Sequence, residues 1–452
     1  MSRATSRAIL DRRTDEADGA RVTTSDRRDR VAPIALAAGT ALIAATHGWG
    51  RWLQARGHRM AVNAPPLTGN VDPRVSWWSV PALAAGAAVV AGADRAMRTL
   101  SWRRLLWASF GAAIAWSVSL ALWDGVAGLT AAPAAPVDYL AALPRIDDVG
   151  VFLRTLVDAP RTFPTHVQAH PPGFVLFLVG MRSLGFATPG WVAAAEHVVA
   201  ASSVPAVLIT ARALAGERVA RAAAPLLIGS PIVLAWSSGD AVFLGVGAWA
   251  VTWSVLAFVG EGRRADRLAL ASGIAWAVGI FLSYGLVLLA LVPLAVAVER
   301  RSVRAVVLVA LPVAAALLGA AIGGFWWLDG LHATREAYAL SLARVRPYSY
   351  FLVANLAAAA IAVGPAIWVG LARNRDRRLW VLAAGALLAI VLADLSGLSK
   401  GEVERIWLPF LPWLTLAGAA AFAGLGTRSR RGWLATQVAW TVVVQWAVLA
   451  PW

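Results

Sequence analysis

Long apolar runs alternate with short polar connections along most of this 452-residue chain. Most runs approach the roughly 20 residues that a helix needs to cross a bilayer. Backbone groups in hydrocarbon must be hydrogen-bonded within their own segment, so such runs predict helices, and their unbroken hydrophobicity disfavours barrel strands. We count about thirteen predicted transmembrane helices, at 32–50, 77–94, 104–123, 190–212, 218–236, 241–260, 268–283, 286–299, 303–325, 351–371, 379–398, 406–425 and 432–450. The pattern therefore predicts an all-α, polytopic membrane protein.

The composition supports the membrane class and changes how the high charge is interpreted. Hydrophobic residues make up 59% of the chain, and its formal net charge is +16. A basic stripe for nucleic acid gathers on one soluble face, whereas these arginines occupy short connections between apolar runs, as in the cytoplasmic loops of membrane proteins. We therefore expect membrane lipids, and no nucleic acid, as partners. The clusters are Arg95/Arg98/Arg103/Arg104, Arg212/Arg218/Arg221, Arg263/Arg264/Arg267, Arg300/Arg301/Arg304, Arg373/Arg375/Arg377/Arg378 and Arg428/Arg430/Arg431.

Four regions follow from the same pattern. Residues 1–31 are rich in arginine, poor in apolar residues and without a signal-peptide core, which predicts a disordered cytoplasmic tail. Residues 32–102 predict an N-terminal helical hairpin. Residues 103–300 predict a catalytic-type module with a long external loop, 124–172, and residues 301–452 a C-terminal helical bundle. The chain has no cysteine, which excludes disulfides and thiolate metal sites.

The arginine clusters also predict which side of the membrane each connection faces. With the tail and the connection 95–104 in the cytoplasm, the third run brings Asp124 to the outside. The run 190–212 must then begin outside. The apolar stretch 174–186 therefore lies between two outside points and cannot cross, and it is also short for a span. We expect a re-entrant or juxtamembrane helix there.

The first external connection, residues 51–75, is an exception to this charge distribution. It carries four arginines although the map places it outside. They are Arg51, Arg56, Arg59 and Arg74. The orientation of the first hairpin is therefore the part of the map that the charges support least.

The unusual polar residues lie on the predicted outer side. Asp124 opens the long external loop, His166 and His170 lie near its end, and Asp240 lies in the next external connection, after the run 218–236. The later external loops carry further charged groups. The candidate site residues are Asp124, His166, His170, Asp240, Arg346, Tyr348, Lys400, Glu402, Glu404 and Arg405. Each cytoplasmic connection is little more than arginines and a turn, so the candidate chemistry is extracytoplasmic.

Each of these candidates also has a structural interpretation. An acid at a helix end, such as Asp124, is commonly a cap or a solvated terminus. His166 and His170 are four residues apart and can share a helix face and a metal ion. The proline that follows disfavours helix at His170, however, which favours a structural or substrate contact instead. Arg346 and Arg405 can also anchor the protein to lipid headgroups.

The order of these residues resembles a known family. An acid just after an early span, an external loop that ends in His170-Pro171-Pro172, and Asp240 at the next external loop are similar to the GT-C superfamily. These are integral-membrane glycosyltransferases that use polyprenyl-phosphate sugars, and they include protein O-mannosyltransferases and lipid A aminoarabinose transferases. The resemblance covers roughly residues 103–425, and the composition resembles that of actinobacterial proteins. The chain departs from the family in having two runs ahead of the run that ends at Asp124, where many members have one, and in lacking the large soluble C-terminal domain of some members.

The resemblance implies a plasma-membrane enzyme that transfers a sugar from a polyprenyl-phosphate donor to an extracytoplasmic glycan, lipid or protein. Inverting transfer needs a carboxylate base beside the acceptor hydroxyl, which we assign to Asp124. It also needs cationic or donor groups at the leaving phosphate, which we assign to Arg405, Arg346, Lys400 and Tyr348. The groups assigned to orienting the acceptor, or to holding a divalent cation as a candidate cofactor, are Asp240, His166, His170, Glu402 and Glu404. We expect Asp124, His170 and Asp240 to converge on one cavity at the outer surface.

The alternative function is a transporter or lipid flippase without glycosyltransferase activity. Polar residues would then lie within the spans and mark a pathway near the bilayer midplane. The runs 241–260 and 379–393 contain almost no ionisable residue. Glu196 and His197, in the run 190–212, are exceptions near its outer end. The sequence therefore favours the enzyme and leaves the transporter as the second hypothesis.

Overall fold

The computed structural model describes residues 30–168 and 170–451 and is 78% helical. All but the last two residues of the predicted tail 1–31 lie outside the described residues. The helices are α1 (Arg30–Ala55), α2 (Ser79–Thr99), α3 (Trp102–Ala121), α4 (Ala127–Ala134), α5 (Val149–Asp158), α6 (Thr165–Gln168), α7 (Gly173–Ser183), α8 (Pro189–Ala201), α9 (Ser203–Ala215), α10 (Glu217–Ile228), α11 (Asp240–Val259), α12 (Gly262–Leu282), α13 (Leu286–Leu289), α14 (Leu291–Arg300), α15 (Val303–Ile322), α16 (Trp327–Leu340), α17 (Tyr348–Val363), α18 (Pro365–Arg373), α19 (Arg377–Leu395), α20 (Val403–Ile406), α21 (Leu411–Ala420) and α22 (Thr427–Ala447). Two short strands, β1 (Asn70–Val71) and β2 (Val448–Leu449), pair in antiparallel register.

Eight helical segments of the described residues are long and apolar enough to cross a membrane. A ninth is present if α17 and α18, which meet at a bend of 96°, form one broken span. The eight are Arg30–Ala55, Ser79–Thr99, Trp102–Asp124, Pro189–Ala215, Asp240–Val259, Gly262–Leu282, Val303–Ile322 and Arg377–Leu395. The chain is therefore an α-helical, multi-pass membrane protein, as the apolar runs predict.

Besides 351–371, which corresponds to the bent pair α17 and α18, four of the thirteen predicted spans do not meet this test. Three of them are broken into shorter helices: α10 stops before Pro231, α13 and α14 meet at Ala290, and α21 begins only at Leu411, with Pro412 in its first turn. Proline lacks the backbone donor that a continuing helix needs, so it favours such breaks. The fourth lies mostly in α22, a long helix that starts with several arginines, and extends beyond it through β2. The predicted spans concerned are 218–236, 286–299, 406–425 and 432–450.

The long loop 124–172 folds into short helices that cover one end of the bundle. After α4, its elements include a 3-10 helix at Tyr139–Arg145, then α5 and α6. Helix α7 follows and is only 11 residues long, about half of what a span requires. The guanidinium of Arg182, on α7, donates to the carbonyl oxygens of Leu143 and Ile146 at 2.7 Å each. Helix α7 is therefore tied to the covering elements, in keeping with the expectation that 174–186 does not cross.

The arginine-rich connections meet at the opposite end of the bundle. Arg221 donates to the carbonyl oxygens of Met97 and Leu100, both at 2.9 Å. Arg378 donates to the Leu214 carbonyl at 3.1 Å, and Arg430 pairs with Asp94 at 3.1 Å. Connections that are remote in sequence thus lie together at one end of the helical bundle, as the distribution of arginines requires.

Reporter fusions test the parity of this map. Because α7 is too short to cross, a reporter fused near Thr188 and one fused near Ala159 should both give an extracytoplasmic signal. A fusion at Arg375, in the arginine-rich connection between α18 and α19, is the cytoplasmic control. A cytoplasmic signal at Thr188 alone would mean that α7 crosses, and every later connection would change sides.

Candidate functional site

A cavity of about 500 Å³ lies at the end of the bundle that carries Asp124. One wall is polar and comes from the connection between α1 and α2, from the end of α3, from α20 and from α22. The rest of the lining is apolar, and it is formed by small residues of α3 and α4 together with residues of other elements, such as Leu234, Ile361 and Val444. The polar residues that line the cavity are Asn63, Thr68, Asn70, Arg74, Asp124, Ser237, Glu404 and Gln445, and the small residues of α3 and α4 include Ala121, Ala127, Gly128, Ala131 and Ala132.

Asp124 reaches this cavity because α3 ends in a tight 3-10 turn, Leu122–Asp124. Gly125 follows with φ 71°, a left-handed conformation that glycine adopts without steric cost and that turns the chain into α4. The buried Trp123 indole donates to the carbonyl oxygen of Arg74 at 2.9 Å. This bond holds the Arg74 backbone next to the end of α3.

Arg74 and Asp124 form a two-pronged ion pair inside the cavity. Nη2 of Arg74 donates to Oδ2 of Asp124 at 2.8 Å, and Nε of Arg74 donates to Oδ1. The two side chains are 18% and 24% exposed, so the pair is shielded from bulk water but remains accessible from the cavity. Both carboxylate oxygens of the predicted base are thus occupied by one guanidinium.

The β1–β2 pairing brings the last helix to the same place. Asn70 pairs with Leu449, and beyond the strands the Arg74 amide donates to the Trp446 carbonyl at 3.2 Å. Gln445 consequently faces Asp124, with its Nε2 at 3.5 Å from Oδ2. The C-terminal end of α22 therefore completes the polar wall.

Glu404 presents a second carboxyl group to the cavity. Its Oε1 accepts a hydrogen bond from the Thr68 amide at 2.9 Å, while Oε2 is buried without a hydrogen-bond partner among the described residues. Burial, helped by the charge of Glu402, raises the pKa of Glu404 to about 7 against the opposing hydrogen bonds and the charge of Arg405. This carboxyl group therefore exchanges its proton near neutral pH.

A buried ionic cluster lies directly behind Glu404, centred on Arg405. Nη1 of Arg405 donates to Asp240 Oδ2 and Nη2 donates to Glu402 Oε2, both at 2.6 Å. Arg405 and Asp240 are only 7% and 5% exposed. Burial disfavours the charge of Arg405, but Asp240 and Glu402 more than compensate and raise its pKa above the ordinary value. This guanidinium thus neutralises two carboxylates.

Two histidines of the loop 124–172 extend the Arg405 cluster. His166 Nδ1 lies 2.9 Å from Asp138 Oδ2, and its Nε2 lies 3.4 Å from Arg405 Nη2. A carboxylate only accepts and a guanidinium only donates, so these partners assign the neutral tautomer with the proton on Nδ1. His170 Nδ1 donates to the His166 carbonyl at 3.0 Å, and burial lowers the pKa of His170 to about 4. His170 therefore acts as a neutral group.

Glu402 links Arg405 to Arg346. Its backbone is left-handed, with φ 63° and ψ 13°, which costs a non-glycine residue about 1–3 kcal/mol. Burial alone would raise the pKa of Glu402, but Arg405 and Arg346 lower it to about 2. Arg346 Nη2 lies 3.3 Å from Glu402 Oε1, and its guanidinium also donates to the carbonyl oxygens of Met60, Ala61 and Lys400. These contacts fix the loop that carries Glu402.

Two of the predicted phosphate-binding residues lie outside both the cavity and the cluster. The Tyr348 hydroxyl donates to the Leu395 carbonyl at 2.8 Å. The Lys400 ammonium lies 6.0 Å from the centre of the Tyr338 ring, a weak cation–π contact. Burial and the nearby Arg346 lower the pKa of Lys400. Neither side chain lines the cavity.

The structure thus separates residues that we expected in one place. Asp124 and Glu404 line the cavity, whereas Asp240 and His170 are not among its lining residues and belong to, or border, the Arg405 cluster. The expectation that Asp124, His170 and Asp240 share one cavity is corrected in this respect. The reason is that Arg405, next to Glu404 in the chain, turns away from the cavity to neutralise Asp240.

No group of three or more His, Asp and Glu side chains within residues 30–168 and 170–451 is arranged to hold a metal ion. His166 and His170 in particular do not share a ligand position. The ring of His166 is engaged by Asp138 and Arg405, and His170 bonds the backbone. The described residues therefore give no support to the candidate divalent cation.

Several cavity residues were not among the sequence candidates. Arg74 is the most important of them, and its signal was present, because it belongs to the arginines of 51–75 that contradict the charge distribution of external loops. Gln445, Thr68 and Asn70 carry no comparable signal. Their positions in the cavity depend on the pairing of β1 with β2 and on the packing of α22.

No model of a known protein family matches the chain, and no curated protein matches it either. The function is therefore inferred from the chemistry of the cavity and from the motif resemblance alone.

Proposed function

We propose that the protein is a membrane glycosyltransferase of the GT-C type. It transfers a sugar from a polyprenyl-phosphate donor to an acceptor on the extracytoplasmic side of the plasma membrane. The acceptor is a cell-envelope glycan, a lipid or a protein. The observation that carries the proposal is the cavity that the Asp124 carboxylate and the Arg74 guanidinium line together with many apolar residues.

The residues that line this cavity suit three chemical groups: the isoprenoid and the phosphate of the donor, and the hydroxyl of the acceptor. The apolar part of the lining suits the isoprenoid next to the phosphate, Arg74 can bind two phosphate oxygens at once, and a carboxylate can accept the proton of an acceptor hydroxyl. Its volume of about 500 Å³ falls within the range of about 300–1,000 Å³ typical of small-molecule sites. The cavity also lies opposite the arginine-rich connections, which is the predicted outer side.

Within this proposal Asp124 remains the base, and Arg74 takes the leaving phosphate. Arg405 and Arg346 were the sequence candidates for the phosphate, but their guanidinium groups are engaged by Asp240 and Glu402 and by backbone carbonyls. Arg74 pairs with Asp124. A donor phosphate that competes for Arg74 would release the Asp124 carboxylate beside the acceptor, which couples donor binding to activation of the base.

A transporter remains the second candidate because of one observation. Glu196, within the candidate span Pro189–Ala215, is fully buried, and neither of its carboxyl oxygens has a hydrogen-bond partner among the described residues. Ionisable groups inside a span commonly mark a transport pathway. If the protein is a transporter, the neutral variant Glu196→Gln should abolish transport of a lipid-linked sugar. If it is a glycosyltransferase, sugar transfer from a donor supplied on the outer side should persist in this variant.

A mass-spectrometric comparison of envelope glycans and glycolipids tests the proposed activity. Cells without the gene should lose at least one glycosylated species and accumulate its unglycosylated acceptor, and the intact gene should restore both. A gene that carries Asp72→Asn is the control, because Asp72 is two residues from Arg74 but does not line the cavity. Unchanged glycan and glycolipid profiles would contradict the proposal.

A further inference from the structure

The cavity has too few positive charges to neutralise an anionic ligand. Among the described residues that line it, Arg74 is the only cation, and Asp124 and Glu404 both carry carboxyl groups. Arg74 and Asp124 neutralise each other. An ionised Glu404 would therefore give the cavity a net negative charge, and entry of a phosphodiester would place further negative charge beside it. A protonated Glu404 removes that repulsion.

The position of Glu404 suits a group that gains and loses a proton. Oε1 is held by the Thr68 amide, so the carboxyl group is anchored in one orientation. Oε2 is the oxygen without a partner, and the Thr68 hydroxyl is likewise buried without a hydrogen-bond partner among the described residues. A proton on the buried Oε2 makes the carboxyl group neutral. The proton thus removes a negative charge beside the cavity without using a group that the ligand must contact.

We propose that Glu404 holds a proton whenever a lipid-linked phosphodiester occupies the cavity, so that donor binding takes up one proton from solution. This inference rests on the proposed function, since it requires an anionic donor in the cavity. Glu404 then makes donor binding proton-dependent, and Asp124 remains the base for the acceptor.

The surroundings of Glu404 determine how the affinity for the donor changes with pH. Because the pKa of Glu404 is about 7, below that pH the proton is already present and binding needs no uptake. Above it, each bound donor must bring a proton to Glu404, so affinity falls as pH rises. Of the elements packed against α20, helix α17 contributes Tyr348 and Tyr350, which bond to the carbonyl oxygens of Leu395 and Thr46 instead. The charged groups around Glu404 are Glu402 and Arg405 on its own helix, Asp240 on α11, Arg346 beyond Glu402, and Arg74 and Asp124 in the cavity.

Binding of a short-chain prenyl phosphate methyl ester to the purified full-length protein tests the inference. This phosphodiester keeps one negative charge across the neutral range. We expect its Kd to rise about tenfold between about pH 6 and pH 8 in the wild-type protein. Calorimetry in buffers of different ionisation enthalpy should show uptake of close to one proton per ligand at the higher pH.

Glu404→Gln is the decisive variant, because the amide keeps the shape and stays neutral at every pH. It should bind the ester as tightly as the wild type does at about pH 6, with no pH dependence and no proton uptake. Asp72→Asn is the matched control and should keep the wild-type pH dependence. If the pH dependence persists in Glu404→Gln, or if the wild-type Kd does not change with pH, the role proposed for Glu404 is wrong, but the cavity can still be the donor site. Absence of binding at every pH overturns the donor site and the inference together.

Discussion

Asp124→Asn is expected to reduce glycosyl transfer by about 10²–10⁴-fold, the usual contribution of a general base. The amide keeps the size of the side chain and can still accept a hydrogen bond from Arg74, but it cannot take the proton of the acceptor hydroxyl. Donor binding should persist, or become tighter, because the guanidinium of Arg74 is no longer neutralised by a carboxylate. Turnover and binding of the lipid-linked donor, measured separately in detergent or nanodiscs, should therefore change in different ways.

Asp72→Asn is again the control, since it removes a neighbouring carboxylate that does not line the cavity. It should leave both turnover and donor binding close to those of the wild type. Near-normal turnover in Asp124→Asn would show that Asp124 is only the ion-pair partner of Arg74. The carboxyl group of Glu404, in the same cavity, would then be the next base to test.

Arg405→Ala is expected to cause the largest loss of stability. The change leaves Asp240 and Glu402 as two buried carboxylates without their shared cation, and removing one partner of a buried pair costs about 3–5 kcal/mol. The free energy of unfolding in detergent, or the Tm in the same detergent, measures this loss. Arg304→Ala is the matched control, because Arg304 also pairs with an aspartate but its side chain is 81% exposed. It should change stability little.

The double variant Arg405→Ala/Asp240→Asn shows whether the loss comes from uncompensated charge. Neutralising Asp240 removes one of the two orphaned carboxylates, so the double variant should be more stable than Arg405→Ala alone. If the double variant is as unstable as the single one, the loss comes from packing around the arginine side chain and not from charge. A wild-type Tm in Arg405→Ala would contradict the structural role of the cluster altogether.

The amino-acid sequence determined the class of the protein and the place of most of the helices that are long and apolar enough to cross a membrane. Hydrophobicity is a local property, so long apolar runs such as 303–325 and 379–398 predict spanning helices without knowledge of their neighbours. The placement of arginines is local as well, and the grouping of their connections at one end agrees with it. Prolines such as Pro231 and Pro412 also carried a local signal, because they accompany the breaks in predicted spans.

The tertiary structure alone decided which polar residues work together. Arg74 meets Asp124 across 50 positions of the chain, and Arg405 meets Asp240 across 165. The arginines of 51–75 stand out in the sequence, but the sequence does not show that Arg74 lines a cavity whereas Arg405 pairs with buried carboxylates. That difference arises from the pairing of β1 with β2 and from the direction in which α20 turns its side chains. Polar groups in a membrane protein are satisfied by whatever partner packing brings near, so their partners depend on the whole fold and not on sequence spacing.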